Sequence, residues 1–168
     1  MKSNRRPRVA FGTRKNGGVV DATPARILVL YENSRRGAAA LEQAAARAAR
    51  EGALLTVVVV AVTEPEDARC CDTRAVYWNG IVRELADEDL GRARALLRKG
   101  TAAEFKVVTA RSIPTALAIE AKRSRADMIL VPSARGVYPR SRSRRARQVQ
   151  RRVRDAVVIA ALGPRRAE

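Results

Sequence analysis

The sequence predicts an α/β protein built on a doubly wound parallel five-stranded sheet. Three observations carry this. Short, β-branched apolar runs occur five times along the chain, and between successive runs lie segments with apolar residues at helical spacing. The second run, Leu54 to Val62, is too continuously apolar for one of its faces to meet water. Strands hidden on both faces and alternating with helices belong to a parallel sheet that is covered on either side.

The elements follow in order. The run Ile27 to Tyr31 closes in Glu32, Asn33 and Ser34, as suits a buried strand giving way to a loop. Ala38, Leu41, Ala45 and Ala48 then recur on one helical face, and Gly52 is a suitable stop. Leu54 to Val62 is the second strand. Beyond a polar connection, Glu64 to Arg74, a helix from about Tyr77 to Arg98 places Val82, Ala86, Leu90, Ala93 and Leu97 on one side. Phe105 to Thr109 is the third strand. Pro114 opens a further helix, in the first turn where its missing N–H costs nothing, and this helix runs through Leu117, Ile119 and Ala121. Met128 to Val131 is the fourth strand. An arginine-rich segment with a helix ending near Arg154 follows, and Val157 to Leu162 is the fifth strand.

A chain of 168 residues is long enough for one domain with a proper core and short for two. The expected division is a basic tail over 1–24, one domain over 25–163 and a short tail over 164–168. Within the first tail, Val9 and Phe11 face Val19 and Val20 across Asn16-Gly17, a pattern that suits a short hairpin. The longest nearly apolar stretch, Ala53 to Val62, falls well short of the roughly 20 residues of a membrane-spanning helix. No apolar signal core follows the basic N-terminus, so a cytoplasmic protein is expected.

Composition also narrows the chemistry. The chain has no histidine, and its two cysteines, Cys70 and Cys71, are adjacent. This removes the commonest general base, the Ser-His and Cys-His pairs and the usual zinc spacings. The net charge of +17 is carried by the two ends. Residues 1–24 hold six basic residues and one acidic, residues 135–168 hold eleven and two, and the stretch between is nearly balanced. A near-neutral domain with cationic flanks is suited to an anionic partner: nucleic acid, a phosphorylated metabolite or an acidic protein surface.

Three segments resemble one family. Ile27-Leu28-Val29-Leu30-Tyr31-Glu32-Asn33-Ser34 leading to Ala40-Leu41, then Gly52-Ala53-Leu54-Leu55-Thr56-Val57, then Ala126-Asp127-Met128-Ile129-Leu130-Val131 are similar, in order and separation, to the first strand, helix stop with second strand, and fourth strand of universal stress proteins. The resemblance covers residues 25–162. It implies a sheet of order 3-2-1-4-5, of the universal stress protein and adenine nucleotide alpha hydrolase-like type, dimeric through Val157 to Leu162. The Pro-containing turn that members often place before that strand is absent here. It also implies a site at the carboxyl ends of strands one and four, where the strand order reverses. In nucleotide-binding members an Asp after the first strand meets the ribose and adenine end, and a Gly-x-x-Gly, nine residues, then Gly-Ser/Thr after the fourth strand cradles the phosphates.

Glu32 stands where that Asp would be, and two readings stay open, a ligand contact and a solvated loop acid. Asn33 and Ser34 fill the adjoining positions, with Ser34 also suited to cap the following helix. The phosphate loop departs further. Pro132 and Arg135 replace its two glycines, Arg145-Ala146 its final pair, while Gly136 falls one residue late and Ser133 alone keeps the expected chemistry. Proline offers no N–H and arginine brings bulk where a backbone cradle needs glycine. The expectation is therefore that the usual ATP grip is lost and that no cofactor is bound, ATP being doubtful.

In place of the motif stand Arg135, Arg140, Arg142, Arg144, Arg145, Arg147, Arg151, Arg152 and Arg154. They fit three readings: a solvated charged face, a phosphate-binding nucleic-acid contact through residues such as Arg140, Arg142, Arg147 and Arg151, or a side-chain anion site around Arg135, Arg144 and Arg145. Tyr138 is the one aromatic nearby, so base stacking on single strands gains little support. The function expected is that of a non-catalytic stress-response or regulatory protein, a homodimer with no metal and no membrane. The alternatives are a nucleic-acid-associating protein on the same scaffold and residual nucleotide binding through arginine side chains.

Overall fold

A computed structural model of the chain describes residues 25–65, 73–97, 101–133, 144–153 and 155–162. Within them the elements run β1 (Arg26–Leu30), α1 (Arg35–Glu51), β2 (Leu54–Val62), α2 (Thr73–Leu96), β3 (Ala103–Ala110), α3 (Ile113–Ser124), β4 (Met128–Ser133), α4 (Arg144–Arg152) and β5 (Val157–Leu162). The strands form one sheet of order β3-β2-β1-β4-β5, and every neighbouring pair is parallel. This is the order that the resemblance implies. The proposed N-terminal hairpin, the tails and Cys70 and Cys71 lie outside the described residues.

Alternation along β1 divides the core. Ile27, Val29 and Tyr31 join one cluster with Leu41, Val57 and Leu90, while Leu28 and Leu30 join another with Val58, Leu117, Ile129 and Val149. Helices α1 and α2 cover the first face and α3 and α4 the second. Leu28, Val29, Val57 and Ile129 are wholly buried, and each such side chain contributes about 1.5–3 kcal/mol by leaving water. At the amino end of the sheet Asp127 is structural, its Oδ2 accepting the Arg26 backbone N–H at 2.8 Å.

One expectation about a helix face is corrected. The buried side of α1 is Gly37, Ala40, Leu41, Ala44 and Ala48; of the predicted Ala38, Leu41, Ala45 and Ala48, Leu41 and Ala48 are buried and Ala45 packs at the margin of the same cluster, while the centre of the face shifts to Ala40 and Ala44. Alanine stands on nearly every side of this helix, so its spacing cannot fix the phase, and the large Leu41 decides it. Helix α3 runs through Leu117, Ile119 and Ala121 as expected, burying Leu117 and Ala121 with Glu120 and Ser124 and leaving Ile119 exposed. The face of Val82, Ala86, Leu90 and Ala93 on α2, with Leu97 just past its end, packs in the first cluster as expected.

Candidate functional site

The sheet order reverses between β1 and β4, and an open α/β sheet leaves a crevice at the carboxyl ends of such a pair. The register widens it. Pairing of β4 with β1 covers Met128 to Leu130, whereas pairing with β5 continues to Ser133. β4 therefore leaves β1 at Val131, and Pro132 sits past the last β1 rung, where a missing N–H breaks no bond to that strand.

On the β1 side the chain is tightly held. The Tyr31 N–H donates to the Val58 carbonyl at 2.9 Å, one residue beyond the strand, and the Ser34 N–H donates to the Glu32 carbonyl at 2.7 Å. Ser34 Oγ accepts the Gly37 N–H at 3.0 Å and so caps α1. Gly37 is the tightest point of the loop, because a Cβ there would fall 1.8 Å from the Glu32 carbonyl oxygen. Only glycine lets the first turn of α1 press against the Glu32 peptide. Burial pushes the Tyr31 phenol above its ordinary pKa, Asp89 adds to the rise and Arg92 opposes it.

Arg145, in the first turn of α4, reaches across the crevice and donates from Nη1 to Glu32 Oε1. Both side chains keep about a third of their surface in water, 38% for Arg145 and 34% for Glu32. Thus two of the residues that the resemblance singles out, Arg145 and Glu32, are partners. Asn33 is exposed beside them, and Ser133 is buried at the end of β4.

The remaining arginines are dispersed. Arg144 is exposed in the same turn as Arg145, whereas Arg147 and Arg151 line a groove against β5 with Val157 and Ile159, away from the crevice. Arg152 donates to Thr115 Oγ1 at 3.0 Å. Arg135, Gly136, Tyr138, Arg140 and Arg142 lie outside the described residues. Sequence reasoning missed Gly37, which looked like one more small residue in an alanine-rich helix. It also missed Asn79, buried in α2, which exchanges two hydrogen bonds with the Glu64 backbone, at 2.9 and 3.1 Å, and ties down the end of β2. A lone amide among the small residues of a helix face was the available signal.

The chemistry of this set suits a nucleotide in part. A carboxylate accepts hydroxyl hydrogens, and a guanidinium matches phosphate oxygens, while Pro132 offers no N–H of its own to an anion. Among the described residues no group of three or more His, Cys, Asp or Glu is placed to hold a metal. No helix among them is long and apolar enough to cross a membrane.

The Universal stress protein family model matches residues 24–158. No curated protein matches the chain significantly. Among solved structures, a universal stress family protein from Burkholderia pseudomallei is 22% identical, with a TM-score of 0.62 over 81% of this chain and 94% of that one. The universal stress protein of Archaeoglobus fulgidus in complex with dAMP is 21% identical, TM-score 0.54, over 82% and 97%. A family protein from Arabidopsis thaliana with AMP bound is 15% identical, TM-score 0.54, over 84% and 93%.

These structures correct the expectation of no cofactor. Proteins of this fold hold dAMP and AMP, so lost glycines are not a ground for expecting an empty scaffold. The physical reason is that the crevice comes from the strand order and from the parting of β4 and β1, neither of which depends on the phosphate loop.

Proposed function

The chain belongs to the universal stress protein family, and from that premise we propose that it is a non-catalytic regulatory protein that takes an adenine nucleotide at the carboxyl ends of β1 and β4. The nucleotide phosphate is held by arginine side chains, Arg145 first, in place of a glycine backbone cradle. The supporting observation is the position of Arg145. It stands where the resemblance puts a glycine, yet delivers its guanidinium into the crevice, onto Glu32. Relatives with dAMP and AMP support the ligand class.

Glu32 accepts ribose hydroxyls, and the loop fixed by Gly37 and Ser34 holds its backbone in place. A hydrogen bond to a charged group contributes about 1.5–3 kcal/mol, so Arg145→Gln is expected to weaken AMP about tenfold or more. Titration calorimetry on the full chain, freed of nucleic acid, measures this. Absence of AMP and ATP binding, or equal affinities in the variant, would count against the reading.

A second reading is favoured by one observation. Arg144, Arg147 and Arg151 project into solvent from α4, and such a face suits sequence-independent contact with nucleic acid phosphates. Replacing both Arg147 and Arg151 by alanine is expected to lower the salt slope of duplex DNA binding by about one for each phosphate no longer neutralised. An unchanged slope would remove this reading. Dimerisation through β5 is part of the proposal too, supported by Val157, 57% exposed on a terminal strand. A monomer by sedimentation would refute it.

A further inference from the structure

Glu32 and Arg145 are each other's ion-pair partner. We infer that this ion pair is a selectivity latch: Glu32 holds Arg145 back from simple anions, and a ligand carrying both a ribose diol and a phosphate replaces both partners at once. The inference rests on the nucleotide reading and concerns the selectivity of that same site.

The geometry separates a fixed half from a swinging half. Glu32 lies on a loop pinned by the Ser34 N–H to its carbonyl, by the Ser34 cap and by the contact with Gly37. Arg145 comes from a different element, 113 residues later, and reaches the loop with a long side chain. The pair therefore opens at its side chains, with the Glu32 backbone held in place and the longer Arg145 side chain free to swing to an anion.

The donor and acceptor inventory then decides who opens it. An ionised carboxylate only accepts and a guanidinium only donates. Inorganic phosphate or pyrophosphate can take Arg145, yet this strands Glu32 without its donor and beside a like charge. A nucleoside offers hydroxyl donors to Glu32 but leaves Arg145 without an acceptor. A nucleotide supplies both, so one ion pair is exchanged for two sets of contacts. Both side chains are about one-third exposed, so the pair is a weak one. The latch tunes preference and does not block the site.

The test is titration calorimetry with inorganic pyrophosphate and with AMP, on the full chain and on the variants Glu32→Gln, Arg145→Gln and the two combined. Glu32→Gln is expected to tighten pyrophosphate about two- to fivefold and to weaken AMP. Arg145→Gln weakens both, and the combined variant loses the gain. Glu42→Gln, on the exposed side of α1, changes net charge equally and is expected to leave pyrophosphate unaffected. Pyrophosphate unchanged or weaker in Glu32→Gln, or tightened as much by Glu42→Gln, overturns the latch. If AMP binds the native chain under that result, the nucleotide reading survives alone. If AMP fails to bind the native chain, the nucleotide reading falls and the latch, which needs a ribose diol to open it, falls with it, even where Glu32→Gln tightens pyrophosphate.

Discussion

Gly37→Ala is the sharpest single test of how the site is held. An alanine Cβ would sit 1.8 Å from the Glu32 carbonyl oxygen and under 3.0 Å from the Glu32 carbonyl carbon and nitrogen. Real Cβ contacts essentially never fall below 3.0 Å, so backbone must move by about 1.2 Å to accommodate it. The backbone that must move is tied by the Ser34 N–H and extends from β1. Overpacking of this kind costs about 3 kcal/mol, at the upper end of its usual range, and the helix-propensity gain of alanine over glycine returns about 1 kcal/mol. The net expectation is a loss of about 2 kcal/mol, or about 4–8 °C in Tm for a chain of this size. Gly91 is the internal control. It lies on α2, and an alanine methyl there would meet nothing within 4 Å, so the same substitution is expected to stabilise by about 1 kcal/mol. Urea melts of the two variants measure both signs. Equal shifts, or a Gly37→Ala variant as stable as the native chain, would refute the claim that the Glu32 loop is set by that close approach.

Two further substitutions probe the rest of the scaffold. Lys106 bonds Glu120 at 2.9 Å and Glu104 at 3.0 Å, and these bonds, Glu120 first, hold its pKa above the ordinary 10.5. Because the folded value is the higher one, this stabilisation is complete below pH 10.5 and fades as pH rises through the raised folded value. Lys106→Met leaves the fully buried Glu120 carboxylate with Arg123 at 3.8 Å as its nearest charge. It should cost about 2–3 kcal/mol at neutral pH, less than the usual cost of breaking a fully buried pair because Lys106 is partly exposed, and it should flatten the alkaline limb of stability. Arg125 caps α3 in the left-handed region at φ 51°; Arg125→Gly is expected to raise stability by about 1 kcal/mol, seen as a rise in the urea midpoint.

Much of the scaffold was legible because its signals are local. β2 and β5 run over the predicted residues, and Gly52 stops α1 in the left-handed conformation at φ 61°. The α2 face was readable since leucines and valine mark its phase. In α1 that contrast is missing, and the centre of the predicted face came out shifted. The cofactor expectation failed for a different reason. It treated the glycine loop as the site, whereas the crevice is made by strand order, a property of the whole sheet. The partnership of Glu32 and Arg145 is likewise nonlocal; no spacing in the sequence joins residues brought together by three crossovers.

The most direct test of the central claim is a crystal structure of the full chain grown with AMP. The nucleotide is expected at the carboxyl ends of β1 and β4, its ribose on Glu32 and its phosphate on Arg145, with the ion pair between those residues broken. A nucleotide bound elsewhere, or one whose phosphate rests on backbone N–H groups while Arg145 stays on Glu32, would contradict it.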